Sequence, residues 1–159
     1  MKSKLVPFLA IVLTALALVP TGAHLLEMPN KIGLERDQYF VVQNIYRGWA
    51  LLGTVLVAAL LANALLALRL RHQPWPFALA LAAALALAVT LITFFLWTYP
   101  ANVATDNWTA IPADWERLRW QWERTHALNA VITFAGFCAV VLAVLTGRDE
   151  AGGSVARTR

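Results

Sequence analysis

The sequence predicts an all-α integral membrane protein, built as an antiparallel bundle of four transmembrane helices. Of its 159 residues 60% are hydrophobic and only 14% are charged. The apolar residues gather into four stretches of roughly the 20 residues that cross a bilayer core, and the charges gather at the ends of those stretches. Such a composition excludes a water-soluble domain and leaves no room for a second one. Residues 1–147 are expected to form a single domain and 148–159 a flexible cytoplasmic tail. The net charge of +4 is spread over short segment ends, so it reads as a topology signal and not as a nucleic-acid surface.

The first helix is expected at about 5–28, after Lys2 and Lys4. Thr21-Gly-Ala23 faintly matches a cleavage site, but the apolar core exceeds a signal-peptide h-region and three more spans follow, so the helix is read as retained. A kink is expected near Pro20. His24, Glu27 and Asn30, three apart, lie near one another on a helix face, and Pro29 should end the helix. Residues 31–42 read as a polar connector at the interface, carrying Tyr39 and Phe40. The second span, about 44–70, opens with Gln43, Tyr46 and Arg47 on a face shared with Ala50 and Thr54. Asn63 lies deep in it, placed to hydrogen-bond a neighbouring helix.

Pro74-Trp-Pro76 reads as a tight connector, and the third span, about 77–98, is alanine-rich, which allows close helix approach. After Pro100-Ala-Asn102 comes a polar loop. Its Asn107-Trp-Thr109 sequon is incidental outside a eukaryotic secretory membrane. Asp114 is placed as the N-cap of a fourth helix at about 114–146. Cys138, the single cysteine, sits in that helix as a small core residue, and no intramolecular disulfide is possible. No phosphate loop, Ser-His-Asp order or cysteine-pair motif occurs.

The fourth helix carries the candidate site. At about 100° per residue, Trp115, Arg119, Trp122, His126, Asn129 and Thr133 share a stripe roughly 80° wide, with Glu123 at its edge. A charge at the centre of a membrane helix costs at least about 2.5 kcal/mol, so such residues need a partner, a wet cavity or a task. Two readings stay open: a functional site, or interfacial anchors with imidazoles and carboxylates paired to Arg47, Arg119 and Arg124. From Leu5 to His24 and from His126 to Leu145 the rise is the same, about 28 Å. In antiparallel helices the two histidines therefore reach one level, shared with Tyr46, Arg47 and Asn102, and all four helices offer polar groups to one end of the bundle. A metal set, if any, would be His24, Glu27, Glu123 and His126. The second and third spans hold no acid, which argues against a di-iron centre. No cofactor is expected, while haem or a single transition metal stays open.

Pro100-Ala-Asn102, followed by Trp115, Arg119, Trp122 and His126 in the spacing Trp-x3-Arg-x2-Trp-x3-His, resembles the DUF1772 group of small four-helix membrane proteins, which includes anthrone-oxygenase-like proteins. Where that family commonly carries a basic residue three positions after the histidine, this chain has Asn129. The resemblance implies oxidation of an activated ring methylene of an anthrone by molecular oxygen, without a dedicated organic cofactor. It implies His126 as the base and Arg119 as the oxyanion partner. Tyr46, Asn102 and Asn129 would supply hydrogen bonds, and Trp115 and Trp122 ring stacking, with Arg47, His24 and Glu27 completing the substrate-binding set. The expected partners are the lipid bilayer and a hydrophobic aromatic or quinone-like molecule. The alternative is a non-catalytic membrane protein that assists or binds a partner, a homo-oligomer, or a haem- or metal-binding membrane protein.

Loop charge sets the expected orientation. Lys2 and Lys4, then Arg69 and Arg71, then Arg148, Arg157 and Arg159 mark one side, whereas the 31–42 and 99–114 loops mix acids with bases. The positive-inside rule places both termini in the cytoplasm of a cell whose inner (plasma) membrane holds this multi-pass protein. Reporter fusions at residues 72 and 108 should report opposite sides of the membrane; the same side for both would refute the orientation.

Overall fold

The structure is a computed structural model and describes residues 4–147. Lys2, the expected tail and its three arginines lie outside the described residues. The elements are α1 (Leu5–Lys31), α2 (Arg36–Gln43), α3 (Gly53–Leu70), α4 (Pro74–Thr93), α5 (Tyr99–Ala104) and α6 (Trp115–Thr146). Among the described residues there is no strand, and four helical segments are long and apolar enough to cross a membrane. The protein is an all-α four-helix membrane bundle.

Several boundaries differ from those the sequence predicts. The first helix does not stop at residue 28 but runs through Pro29 to Lys31. A proline this near a C-terminus removes only one backbone donor, and the last turn is held by Lys31, whose ammonium bonds Glu27 at 2.8 Å, and by Ile32 N–H donating to the Met28 carbonyl at 2.9 Å. The connector after it is no bare interfacial loop: it folds as α2, burying Tyr39, Phe40 and Gln43. Two short 3₁₀ turns, Asn44–Tyr46 and Trp49–Leu52, then lead into α3. Between them Gly48 has φ of +86°, a left-handed conformation that glycine adopts without a Cβ penalty. This reversal separates Tyr46 and Arg47 from the helical face they were expected to share with Ala50 and Thr54.

The third span starts earlier and ends later than expected. Pro74 opens α4, where its missing N–H costs nothing. Beyond Thr93 the chain widens into a π turn, Phe94–Thr98, and continues as α5. That wide turn lies just before Pro100, whose ring would collide with the carbonyl four residues back in a regular helix. Asp114 occupies the N-cap position of α6 but makes no capping bond; its carboxylate accepts from Arg117 Nε at 3.1 Å instead.

The four spans form a ring in which α1 and α4 each pack against both α3 and α6. Their antiparallel order is visible in three apolar layers. At one end Ala10, Leu66, Ala67, Ala80, Ala83, Val140 and Ala143 meet. Ala17, Ala59 and Leu87 form the middle, and Tyr39, Phe40, Ala101, Trp108, Leu118 and Trp122 the end that also holds His24 and His126. Asn63 bridges two spans, its amide donating to Thr14 Oγ1 and to the Ala59 carbonyl, both at 2.8 Å. Outside, Phe8, Leu16, Val19, Leu61 and Leu145 stand exposed; such surface is stable against lipid and not against water. Trp75, Trp97 and Trp120 are exposed near the segment ends, as interfacial anchors are.

α4 and α6 approach closely at Gly136, where an added Cβ would stand 3.1 Å from the Ala86 Cβ. Gly136→Leu should destabilise the bundle by about 1–3 kcal/mol through overpacking. A lowered unfolding temperature in detergent checks this; an unchanged one would show that the α4–α6 contact is slack.

Candidate functional site

Charge is buried at the histidine end. Lys31 is only 3% exposed and Glu123 is fully buried. The Lys31 ammonium donates to Glu27 Oε1 at 2.8 Å and to the Tyr46 hydroxyl at 2.9 Å, and lies 3.0 Å from Glu123 Oε1. It also stands 4.4 Å from the Tyr46 ring centre and 4.7 Å from that of Trp122, distances at which an aromatic face attracts a cation. Glu123 Oε1 accepts in addition from the Tyr39 hydroxyl at 2.8 Å, which itself accepts from Gln43 Nε2 at 2.6 Å. Burial, then the neighbouring Glu123 carboxylate, pushes the Tyr39 phenol far above its ordinary range. Tyr39 therefore stays a neutral donor. Burial, followed by Glu27, raises Tyr46 in the same way. Glu123 Oε2 and Gln43 Oε1 are buried with no protein partner.

The imidazoles sit beside this cluster. His24 Nδ1 is 2.8 Å from Glu27 Oε1, and its ring lies 4.1 Å from that of His126, centre to centre. Trp122 meets His24 edge-on at 4.8 Å and His126 at 4.2 Å. His126 is partly exposed, yet its Nδ1 is buried and unpartnered. The indoles of Trp122 and Trp108 both donate to Asn102 Oδ1, at 2.9 and 3.1 Å. Trp108 reaches that position from a loop in which Asp106, Asn107 and Trp108 all have positive φ. Its backbone N–H is held there by Thr105 Oγ1 at 3.1 Å.

These groups surround a cavity of about 400 Å³. His24, Gln43, Tyr46, Arg47, Trp49, Phe94, Asn102, Trp108, Trp122 and His126 line it, with Asn44, Gly48, Ala50, Asn107 and Thr109. Of the residues singled out in the sequence, His24, Tyr46, Arg47, Asn102, Trp122 and His126 face this space, and Glu27 stands behind His24. Arg119, Trp115 and Asn129 do not line it. Arg119 donates to the Leu34 carbonyl at 2.8 Å and stacks on Trp115 at 4.6 Å. Asn129 is spent on packing: its carbonyl accepts from Thr93 Oγ1, and its amide donates to the Thr90 carbonyl at 3.4 Å. An oxyanion role for Arg119 and a substrate bond from Asn129 are thus without geometric support.

The expected pairing of carboxylates with Arg47, Arg119 and Arg124 gives way to pairing with Lys31. Arg47 bonds Asn44 and Arg124 stacks on Trp120. Pro29 signals a helix end in the sequence and so sets Lys31 apart from Glu27, whereas the helix continues and the Glu27-x3-Lys31 spacing brings the two together. Trp49 and Trp108 enter through a 3₁₀ turn and a loop, and Tyr39 through the short helix α2, none of which the periodicity of the four spans reaches. Among the described residues no three His, Cys, Asp or Glu converge as a metal set. The Lys31 ammonium stands between Glu27 and Glu123, where the cation of a His24, Glu27, Glu123, His126 site would need to be. Comparisons of the chain with protein-family models, curated proteins and solved structures give no match.

Lys31→Met would leave Glu123 buried beside Glu27 with no cation. Losing one partner of a buried pair costs about 3–5 kcal/mol, so the unfolding temperature in detergent should drop sharply, and Lys31→Met/Glu123→Gln should recover part of it. Equal stability of Lys31→Met and the parent protein would show that the carboxylates are not held by this lysine.

Proposed function

We propose that the protein binds, and oxidises with molecular oxygen, a flat hydrophobic aromatic or quinone-like molecule in the cavity at the histidine end. The observation that carries this reading is the composition of that cavity: two imidazoles 4.1 Å apart, centre to centre, set among Tyr46, Trp49, Trp108 and Trp122. Its volume lies within the roughly 300–1,000 Å³ of small-molecule pockets, which combine apolar walls with a few convergent polar groups. Aromatic walls favour planar rings by offset or edge contact. A substrate of this kind partitions into lipid, so a site within a membrane bundle meets it at high local concentration. Loop charge supports the finer placement, in the inner (plasma) membrane with both termini cytoplasmic and the cavity at the outward end.

The resemblance to the DUF1772 group, carried by Pro100-Ala-Asn102 and the Trp115, Arg119, Trp122, His126 spacing, supports an anthrone as the substrate type. The reaction converts a ring methylene into a ketone: one oxygen atom of O₂ enters the carbonyl, and the other leaves as water with the two methylene hydrogens. The carbon is oxidised and O₂ reduced, so no further co-reactant is required. The first step is loss of a proton from the ring carbon or its phenol, giving an anion electron-rich enough to react with oxygen. A cavity imidazole is suited to take that proton, because a neutral ring carries one nitrogen with an open lone pair. The Asn102 amide nitrogen and the Tyr46 hydroxyl, both of residues on the cavity wall, are the groups we assign to hydrogen-bond ring oxygens.

The test is oxygen uptake by detergent-purified protein given a hydroxyanthrone, with an absorption spectrum and metal analysis of the same sample. Turnover is expected, and His24→Ala/His126→Ala should reduce it by about 10²–10⁴-fold, the usual worth of general base catalysis. No uptake across a panel of polycyclic phenols by a well-folded sample would overturn the oxygenase reading in favour of a partner-binding role, and a haem band or stoichiometric metal would overturn its cofactor-free form.

A further inference from the structure

Two imidazoles face one cavity, and the motif on α6 points to His126 as the base. The geometry points to the other: we infer that His24, held by Glu27, is the group that takes the proton from a hydroxylated aromatic ring, and that His126 is its stacking neighbour. This inference rests on the aromatic-ligand reading of the cavity.

The argument begins with tautomers. His24 Nδ1 lies 2.8 Å from a Glu27 oxygen. A carboxylate only accepts, so Nδ1 carries the proton and Nε2 holds the free lone pair. The same Glu27 oxygen accepts from the Lys31 ammonium at 2.8 Å. That second bond holds the carboxylate in place. When Nε2 takes a proton, Glu27 stabilises the resulting imidazolium, as a buried carboxylate does for the histidine of a Ser-His-Asp triad. His126 has no such support. Among the described residues its buried Nδ1 has no partner to fix its tautomer, and no carboxylate forms an ion pair with it to stabilise a charge. Its position 4.1 Å from the His24 ring and 4.2 Å from Trp122 suits a neutral ring that confines the slot. The charged or titratable groups around His24 are Glu27 and Lys31 on its own helix, Tyr46 on the turn, His126 on α6, and Glu123 beyond Lys31; Arg47 lines the cavity. The step itself is simple: the ring O–H bond breaks, the proton moves to Nε2, and the electron pair stays on the ring oxygen as a phenolate beside an imidazolium.

A coloured phenol reads this transfer without turnover. Alizarin, a dihydroxyanthraquinone whose visible band moves on ionisation, is titrated with pH in detergent, free and bound to the purified full-length protein. Bound alizarin should ionise at lower pH than free alizarin, by at least about tenfold in acidity. His24→Gln, which keeps a donor for Glu27 but has no base, should abolish the shift, and Glu27→Gln should shrink it. His126→Gln should weaken binding through lost stacking yet keep the shift of the bound dye. A shift that survives in His24→Gln and vanishes in His126→Gln overturns the inference while leaving the aromatic pocket standing. Failure of the parent protein to bind any of several polycyclic phenols overturns both. Should His24→Gln misfold, as judged by elution and helicity, Glu27→Gln decides alone: an unchanged shift there refutes the role given to His24.

Discussion

A single ammonium between two carboxylates, buried near one end of a membrane bundle, is the constraint on which the rest of this end depends. Lys31 is 3% exposed, and an unpaired charge so placed would be untenable. Its partners come from separate parts of the chain: Glu27 from its own helix, Tyr46 from the turn before the second span, and Glu123 from α6. Satisfying one cation therefore fixes how the first helix ends, how the chain crosses to the second span and how deeply α6 is set. The short helix α2, which is not a span, follows from the same requirement. α2 exists to bring Tyr39 to Glu123 and Gln43 to Tyr39, while its Phe40 fills against Trp108 at 5.7 Å.

The cavity is the space left over once that cluster and its aromatic cover are in place. Trp122 touches most of its parts: it lies against Lys31, His24, His126, Tyr46 and Trp108. Its indole N–H, which burial would otherwise leave unsatisfied, shares the Asn102 carbonyl with Trp108. Asn102 thereby ties the end of the third span to α6 and to the loop between them. The left-handed backbone of Asp106, Asn107 and Trp108 is uncommon for side chains larger than glycine, and costs of order 1–3 kcal/mol per strained residue. The burial of Trp108 against Tyr39 and Phe40 opposes that cost.

How much of this was legible in the sequence depends on whether a feature is periodic. The four spans, their order and the common level of His24 and His126 follow from apolar length and a fixed rise per residue. Asn63 as an interhelical bridge was readable for the same reason, since a lone amide in an apolar run must find a partner. What was not readable lies where the chain changes direction. Pro29 and Pro74 carry local signals for ending a helix and for a connector, yet the packing around Lys31 and the free N–H positions of a helix start give them other roles. Gly48 reverses the chain with no pattern around it. Trp49 and Trp108, both on the cavity wall, were indistinguishable in sequence from interfacial anchors.

The polar stripe of α6 shows why a helical face defines a direction and not a site. Arg119, Glu123, His126, Asn129 and Thr133 all point inward, but the bundle meets them with different partners at each level. Near the start, Arg119 holds the Leu34 carbonyl and closes the connector. One turn on, Glu123 completes the charge cluster. Deeper, Asn129 and Thr133 join Thr90 and Thr93 as hydrogen-bonded links to α4, the polar bonding that helps membrane helices associate where the hydrophobic effect does not. His126 alone of these five lines the cavity, and it does so beside a second imidazole that the stripe could not reveal, because that residue comes from α1. The carboxylates of the two helices are therefore used differently: α6 gives its own to Lys31, and α1 gives Glu27 to both Lys31 and His24.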